Sequence, residues 1–179
     1  AKNLARVIGY IRNKSQETEV NRELILLLHQ MLIGSIDDNI AGRFRKKGEY
    51  VRVGTHIAPA PEHVERMIEA TLTEYTSDFS TYFLDKIAKF HLEFETIHPF
   101  LDGNGRVGRL LIALLLCWQG ALQQPLLYLS LYFKKHRQTY YRILQTVRTD
   151  GDWEAWLSFF FEGVRETAEE AVATAKELM

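Results

Sequence analysis

The sequence predicts an all-α domain carrying one short β-hairpin. Most of its length places apolar residues three and four positions apart, the spacing of a helix with one buried face. Only one stretch, Tyr50-Val51-Arg52-Val53, alternates in the manner of a strand. No internal repeat or low-complexity linker divides the 179 residues, so a single domain over 1–179 with an adequate core is expected.

In chain order, Asn3–Arg12 reads as helical without identifiable chemistry. Glu17–Ile33 carries Val20, Leu24, Leu27, Leu28, Met31 and Leu32 as a helical stripe ending at Gly34, and Ser35–Ala41 reads as a loop. Gly42–Thr55, with basic residues around Lys47-Gly48, is taken as the hairpin and as a solvated basic edge. Pro61 suits a first helical turn, and Val64, Met67, Ile68 and Leu72 continue that helix to Tyr75. Phe79, Tyr82, Phe83, Ile87, Phe90, Phe94 and Ile97 then step by three and four toward His98, where Pro99 ends the run. Leu110–Trp118 is apolar on every side and predicts a fully covered central helix ended by Gly120. Ser130 is a candidate N-cap for a helix through Tyr132, Phe133, Tyr140, Ile143, Leu144 and Val147. Asp150-Gly151 turns the chain, Asp152 can cap the last helix, and from Arg165 that helix becomes a Glu- and Ala-rich solvated tail.

The chemistry concentrates in His98-Pro99-Phe100-Leu101-Asp102-Gly103-Asn104-Gly105-Arg106-Val107-Gly108-Arg109. Gly103 and Gly105 allow a tight turn and close approach of the backbone to a ligand. Successive N–H groups at the start of the following helix suit a phosphate. Arg106 and Arg109 share a helical face, and their planar charged forks match a run of phosphates. Asp102 is a hard oxygen ligand, the type that holds Mg²⁺ beside phosphates. His98 can accept the proton of an incoming hydroxyl. Any one of these has a structural explanation; the twelve together describe group transfer from a nucleoside triphosphate. A second pattern, His91, Glu95 and His98 at i, i+4 and i+7, has the spacing of a metal site, although Pro99 opposes regular helix there.

Composition adds exclusions. A net charge of −1 with 25% charged residues gives no global drive toward nucleic acid or membrane. The longest apolar run falls well short of the roughly 20 residues that span a bilayer. One cysteine, Cys117, allows no internal disulfide, so a buried thiol and a reducing cytoplasm are expected. No leader-like segment opens the sequence, which begins at Ala1.

The stretch from His98 to Arg109 resembles the Fic (filamentation induced by cAMP) motif, HPFx[D/E]GNGRxxR, at every specified position. The resemblance extends over about 17–171 and includes Gly42–Lys46, Ala58–Val64, Pro125–Ser130 and Tyr140–Leu144. It implies a Fic-type helical fold with a flap at about 42–55 that holds a target protein as an added strand. It implies AMP transfer from Mg²⁺-ATP to a Ser, Thr or Tyr hydroxyl, with His98 as base and Asp102 on the metal. Gly103, Asn104, Gly105, Arg106 and Arg109 would then handle phosphates, and Tyr140 and Tyr141 would approach the adenine. Exposed faces on the N-terminal helices leave room for a homodimer.

Such proteins usually carry an inhibitory [S/T]xxxE[G/N] helix whose glutamate pairs with the second motif arginine, here Arg109. Ser158–Gly163 fits that pattern but reads as a buried helix, and Ser15–Glu19 has the spacing without the final residue. In the branch this chain resembles, the inhibitory helix precedes the core, upstream of Ala1. No inhibition by an internal glutamate is therefore expected. Removal of AMP from a modified protein and a non-catalytic nucleotide- or partner-binding module are the alternatives. Kinase-like relatives replace the second glycine with lysine, which Gly105 opposes.

Overall fold

A computed structural model describes residues 2–14, 19–121 and 128–179. The chain clusters into two compact units, 1–125 and 126–179. In the first, α1 (Lys2–Lys14) packs on α2 (Arg22–Ile33), and α5 (Asn104–Trp118) packs against α2 and α4 (Phe83–Ile97). Helix α3 (Pro61–Ser77) covers α4. The two strands, β1 (Arg52–Val53) and β2 (His56–Ile57), pair antiparallel with Arg52 opposite Ile57 and Val53 opposite His56.

Local chemistry sets the helix ends. Asn21 caps α2 by accepting the Leu24 N–H at 2.8 Å, while Asn3 donates to Leu32 O and Gly34 O at its other end. Helix α2 therefore begins at Arg22; Glu17, where its apolar stripe was expected to start, lies outside the described residues. Helix α4 begins at Phe83, four residues later than the aromatic spacing indicates. The Asp78 carboxylate accepts the Ser80 and Thr81 N–H groups, folding a local turn that competes with helix and leaves Phe79 94% exposed. Helix α5 is buried almost all round from Leu110 to Leu116, the covered central helix that its composition requires. Cys117 near its end is half-buried, and burial pushes its thiol pKa up.

The hairpin is shorter than expected and turns at Gly54-Thr55, whereas residues 42–50 form an irregular loop. The Arg43 fork binds both oxygens of Glu49 at 2.8 and 3.0 Å, and Glu49 also accepts the Lys46 N–H. These contacts hold the Glu49 carboxyl down at about 2 and close 43–49 on itself. The expected solvated basic edge holds at the exposed Lys46 and Lys47 but not at Arg45, which is only 4% exposed.

In the second unit, α8 (Trp153–Glu177) packs on α6 (Tyr128–Lys135) and α7 (Arg137–Asp150). The expected single helix is thus two, and Ser130 lies inside α6 instead of capping it. The break falls at His136, whose ψ of 36° takes it out of helical geometry while the apolar spacing runs on across it. Asp152 caps α8 as expected, accepting the Ala155 N–H, and Gly151 makes its turn at φ 69°. Phe133, Tyr140, Trp156 and Phe159 stack into an aromatic core.

Gly163 lies where α8 meets α6. A Cβ there would come within 2.6 Å of the Tyr132 ring and 3.1 Å of Leu129 Cδ1. Gly163→Ala should therefore lower unfolding free energy by about 1–3 kcal/mol through overpacking, measured by denaturant titration. An unchanged midpoint would show that the ring moves aside freely.

Candidate active site

His98 follows the last residue of α4 and adopts φ 50°, ψ 63°, the left-handed region that costs a non-glycine residue on the order of 1 kcal/mol. Its N–H still donates to Phe94 O at 2.9 Å, so the helix ends by turning the histidine out of register. The i, i+4, i+7 set of His91, Glu95 and His98 is consequently not assembled, and no group of three metal-ligating side chains occurs among the described residues. His91 and Glu95 are buried against α5 instead. A Cβ on Gly108 would lie 2.3 Å from Glu95 Oε1 and 3.2 Å from the His91 ring. That contact explains the glycine between the two motif arginines.

Between His98 and α5 the main chain is held by side chains. Asn104, 2% exposed, accepts the Phe100 N–H at 2.8 Å and donates to Phe100 O at 2.7 Å. Its amide is engaged within the loop, leaving its backbone N–H as the group that can face a phosphate. The Phe100 ring is fully buried, stacked on His29 at 3.7 Å with the planes 3° apart. His29 accepts the Gly42 N–H on Nδ1 at 3.0 Å, which leaves Nε2 protonated to donate to Asp102 O at 2.8 Å. Burial pushes the His29 pKa down, in keeping with this neutral form. Gly103 has φ 84° and faces Ile33, where a Cβ would sit 3.0 Å from Cδ1. Both the backbone conformation and the packing require glycine there.

The start of α5 is open to an anion. Gly103 is the N-cap, and among the described residues no side chain caps the N–H groups of Asn104, Gly105 and Arg106; the first intrahelical bond is Val107 N–H to Gly103 O at 3.0 Å. No acidic residue occupies the first turn, and Arg106 does. A cation at the positive end of a helix is unfavourable unless an anion sits between them. Asp102, whose side chain is 70% exposed, accepts the Gly103 N–H at 2.7 Å and lies 3.4 Å from Arg106. The Arg109 guanidinium lies over Gly105, with Nη1 at 2.9 Å from where a Cβ would be. It has no hydrogen-bond or ion-pair partner among the described residues.

The loop and the first two turns of α5 thus carry His98, Asp102, Gly103, Asn104, Gly105, Arg106 and Arg109, all in the first unit. Tyr140 and Tyr141 belong to the second. Tyr140 is buried in the aromatic core, stacked on Phe133 at 4.7 Å, while Tyr141 is 43% exposed with Arg137 5.8 Å from its ring.

A family model described as the Fic/DOC family matches residues 19–116, more than half of the chain. The chain belongs to the Fic/DOC family. Among curated Fic proteins it is 31% identical over 156 residues to a protein of Drosophila willistoni named protein adenylyltransferase Fic, covering 85% of this chain and 29% of that one. A Drosophila ananassae protein of the same name is 30% identical over 154 residues, with the same coverage. The chain therefore spans less than a third of the length of these relatives. The crystal structure of a Fic family protein from Desulfovibrio desulfuricans G20 matches with a TM-score of 0.82 at 27% identity, over 97% of this chain and 54% of that one. Fic-1 from C. elegans shares the fold, with a TM-score of 0.75 at 21% identity over 99% of this chain and 51% of that one.

Two residues that position this Fic loop carry no signal of their role in the sequence. His29 reads as a polar interruption of an apolar stripe, and Arg45 as one charge in a basic run. Both are buried polar groups with several main-chain partners, which only the fold reveals. His29→Phe keeps the stack on Phe100 but strands Asp102 O and the Gly42 N–H. It should lower stability by about 1–3 kcal/mol, with faster amide exchange at Gly42. Unchanged stability and exchange would show that the two bonds contribute nothing.

Proposed function

We propose that this Fic chain transfers AMP from ATP to a hydroxyl group of a target protein, releasing pyrophosphate. The observation that carries the reading is the uncapped N-terminus of α5, with a first-turn arginine, directly following the His98 loop. The acceptor oxygen would attack the α-phosphorus, the bond to the β-phosphate would break, and the hydroxyl proton would pass to His98. The N–H groups of Asn104 to Arg106 suit an α-phosphate whose charge grows in the transition state. Arg106 and Arg109 suit the outer phosphates. The adenine contact is assigned to the pair Tyr140 and Tyr141, of which Tyr141 has the exposed ring.

The residues fit Mg²⁺ arriving with its nucleotide. Asp102 is a single exposed carboxylate at the edge of the loop, and Mg²⁺ commonly uses one or two carboxylates together with substrate phosphates and water. When bound, the ion would neutralise phosphate charge beside Asp102. The flap would receive the target as an added strand, supported by the exposed Tyr50 and Ile57 side chains flanking β1 and ending β2. No described helix is long and apolar enough to cross a membrane. A cytoplasmic setting and a homodimer remain part of this proposal.

Incubation with α- or γ-labelled ATP distinguishes the alternatives. Label on protein from the α position alone is expected; label from γ alone would mean kinase chemistry. Label from neither would favour AMP removal or a binding module. His98→Ala should reduce transfer by about 10²–10⁴-fold with the fold retained, as loss of a general base does. Unchanged labelling by that variant would remove His98 from its role.

Inhibition from within is not supported by Ser158–Gly163. Glu162 is exposed and paired with Arg165 on its own helix, and Gly163 has a packing reason. Of the other segment considered, Ser15–Thr18 lie outside the described residues. Glu162→Gly is expected to leave the transfer rate within about twofold of the unsubstituted chain. A sharp rise with an intact fold would identify Glu162 as an inhibitory group.

A further inference from the structure

Arg45 is a buried cation whose hydrogen bonds all go to the main chain. Nε donates to His98 O at 2.8 Å, Nη1 to Glu49 O at 3.0 Å, and Nη2 to Pro59 O at 2.8 Å and Ile97 O at 3.2 Å. Its own N–H donates to Pro99 O at 2.9 Å. The nearby Glu49 carboxylate is occupied by Arg43. The Glu49 charge and the carbonyls at the end of α4, which accept from the guanidinium, both favour the buried cation.

Three consecutive carbonyls, those of Ile97, His98 and Pro99, therefore bond to one residue, and the middle one belongs to the left-handed His98. The remaining two acceptors lie on either side of the hairpin, Glu49 before β1 and Pro59 after β2. His56 on β2 adds a contact to Thr96 O at 2.8 Å, one residue further back on α4. The fork thus refers the base and both stems of the flap to a single rigid plane. Lysine offers three donors from a point and cannot reproduce that plane.

We propose that Arg45 is a positioning residue for the transfer step: it fixes the backbone of His98 against the two stems of the flap, so that base and bound acceptor keep one mutual geometry. This rests on the AMP-transfer reading for its kinetic effect, and on the fold alone for its effect on His98. A displacement of about 1 Å at a reacting group can cost on the order of 10²-fold in rate. Nucleotide phosphates, in contrast, are assigned to α5 and its arginines, which Arg45 does not touch.

The test uses Arg45→Lys and Arg45→Gln in the full chain. Thermal unfolding first establishes cooperative folding, then label incorporation from α-labelled ATP gives kcat and the KM for ATP. We expect kcat to fall by about 10²-fold while KM stays within about twofold. In parallel, the ¹³Cα and ¹³Cβ shifts of His98 should leave their left-handed values in both variants. Folded variants with unchanged kcat, or with KM rising as kcat falls, would overturn the proposal. So would unchanged His98 shifts, or failure of both variants to fold, which would make Arg45 a residue of the fold alone. If the unsubstituted chain transfers no label, the AMP-transfer reading fails, and the His98 shifts still decide what Arg45 does.

Discussion

Burial of the irregular main chain between Ile97 and Gly103 is the constraint on which this molecule depends. An unpaired buried carbonyl or N–H costs about 1–3 kcal/mol, and no helix or strand is present there to satisfy these groups. Side chains do it instead. Arg45 takes the carbonyls of Ile97 and His98, Asn104 takes both groups of Phe100, and His29 takes the Asp102 carbonyl. The Arg45 N–H takes Pro99 O. Because these donors come from α2, from the segment before the hairpin and from α5, the loop keeps its shape only while those elements are in place.

The same arrangement separates the groups that hold the loop from those left at the open start of α5. Asn104 illustrates the division within one residue, with its amide folded back onto Phe100 and its backbone N–H at the open helix start. Arg45 and Arg106 illustrate it between residues of one type. The buried arginine lies at the negative end of α4, whereas the exposed one sits at the positive end of α5, with the exposed Asp102 carboxylate 3.4 Å away. A charge placed against the helix dipole in an otherwise well-satisfied loop is the kind of local conflict expected where an anion is meant to bind.

Where the sequence reading missed, local polar chemistry had overridden apolar spacing. Phe79 and Tyr82 continue the stripe of α4, but the Asp78 carboxylate captures the following N–H groups and delays the helix. The stripe of α6 and α7 runs unbroken past His136, and spacing alone cannot register one residue leaving helical geometry. Arg43 and Arg45 are alike in kind and two positions apart, yet one forms a partly exposed ion pair with Glu49 and the other is buried.

From the sequence alone came the helical class, the covered central helix and the capping Asp152, together with the proposal that the run from His98 to Arg109 is the chemical centre. Those features depend on neighbours within a turn or two, which periodicity and residue type record. Tertiary structure alone decided that His29 and Arg45 hold the loop, that Gly108 and Gly163 are packing glycines, and that His98 leaves its helix left-handed. Each depends on atoms brought together from distant positions in the chain, and the worth of a buried polar group is set by the partners it meets after folding.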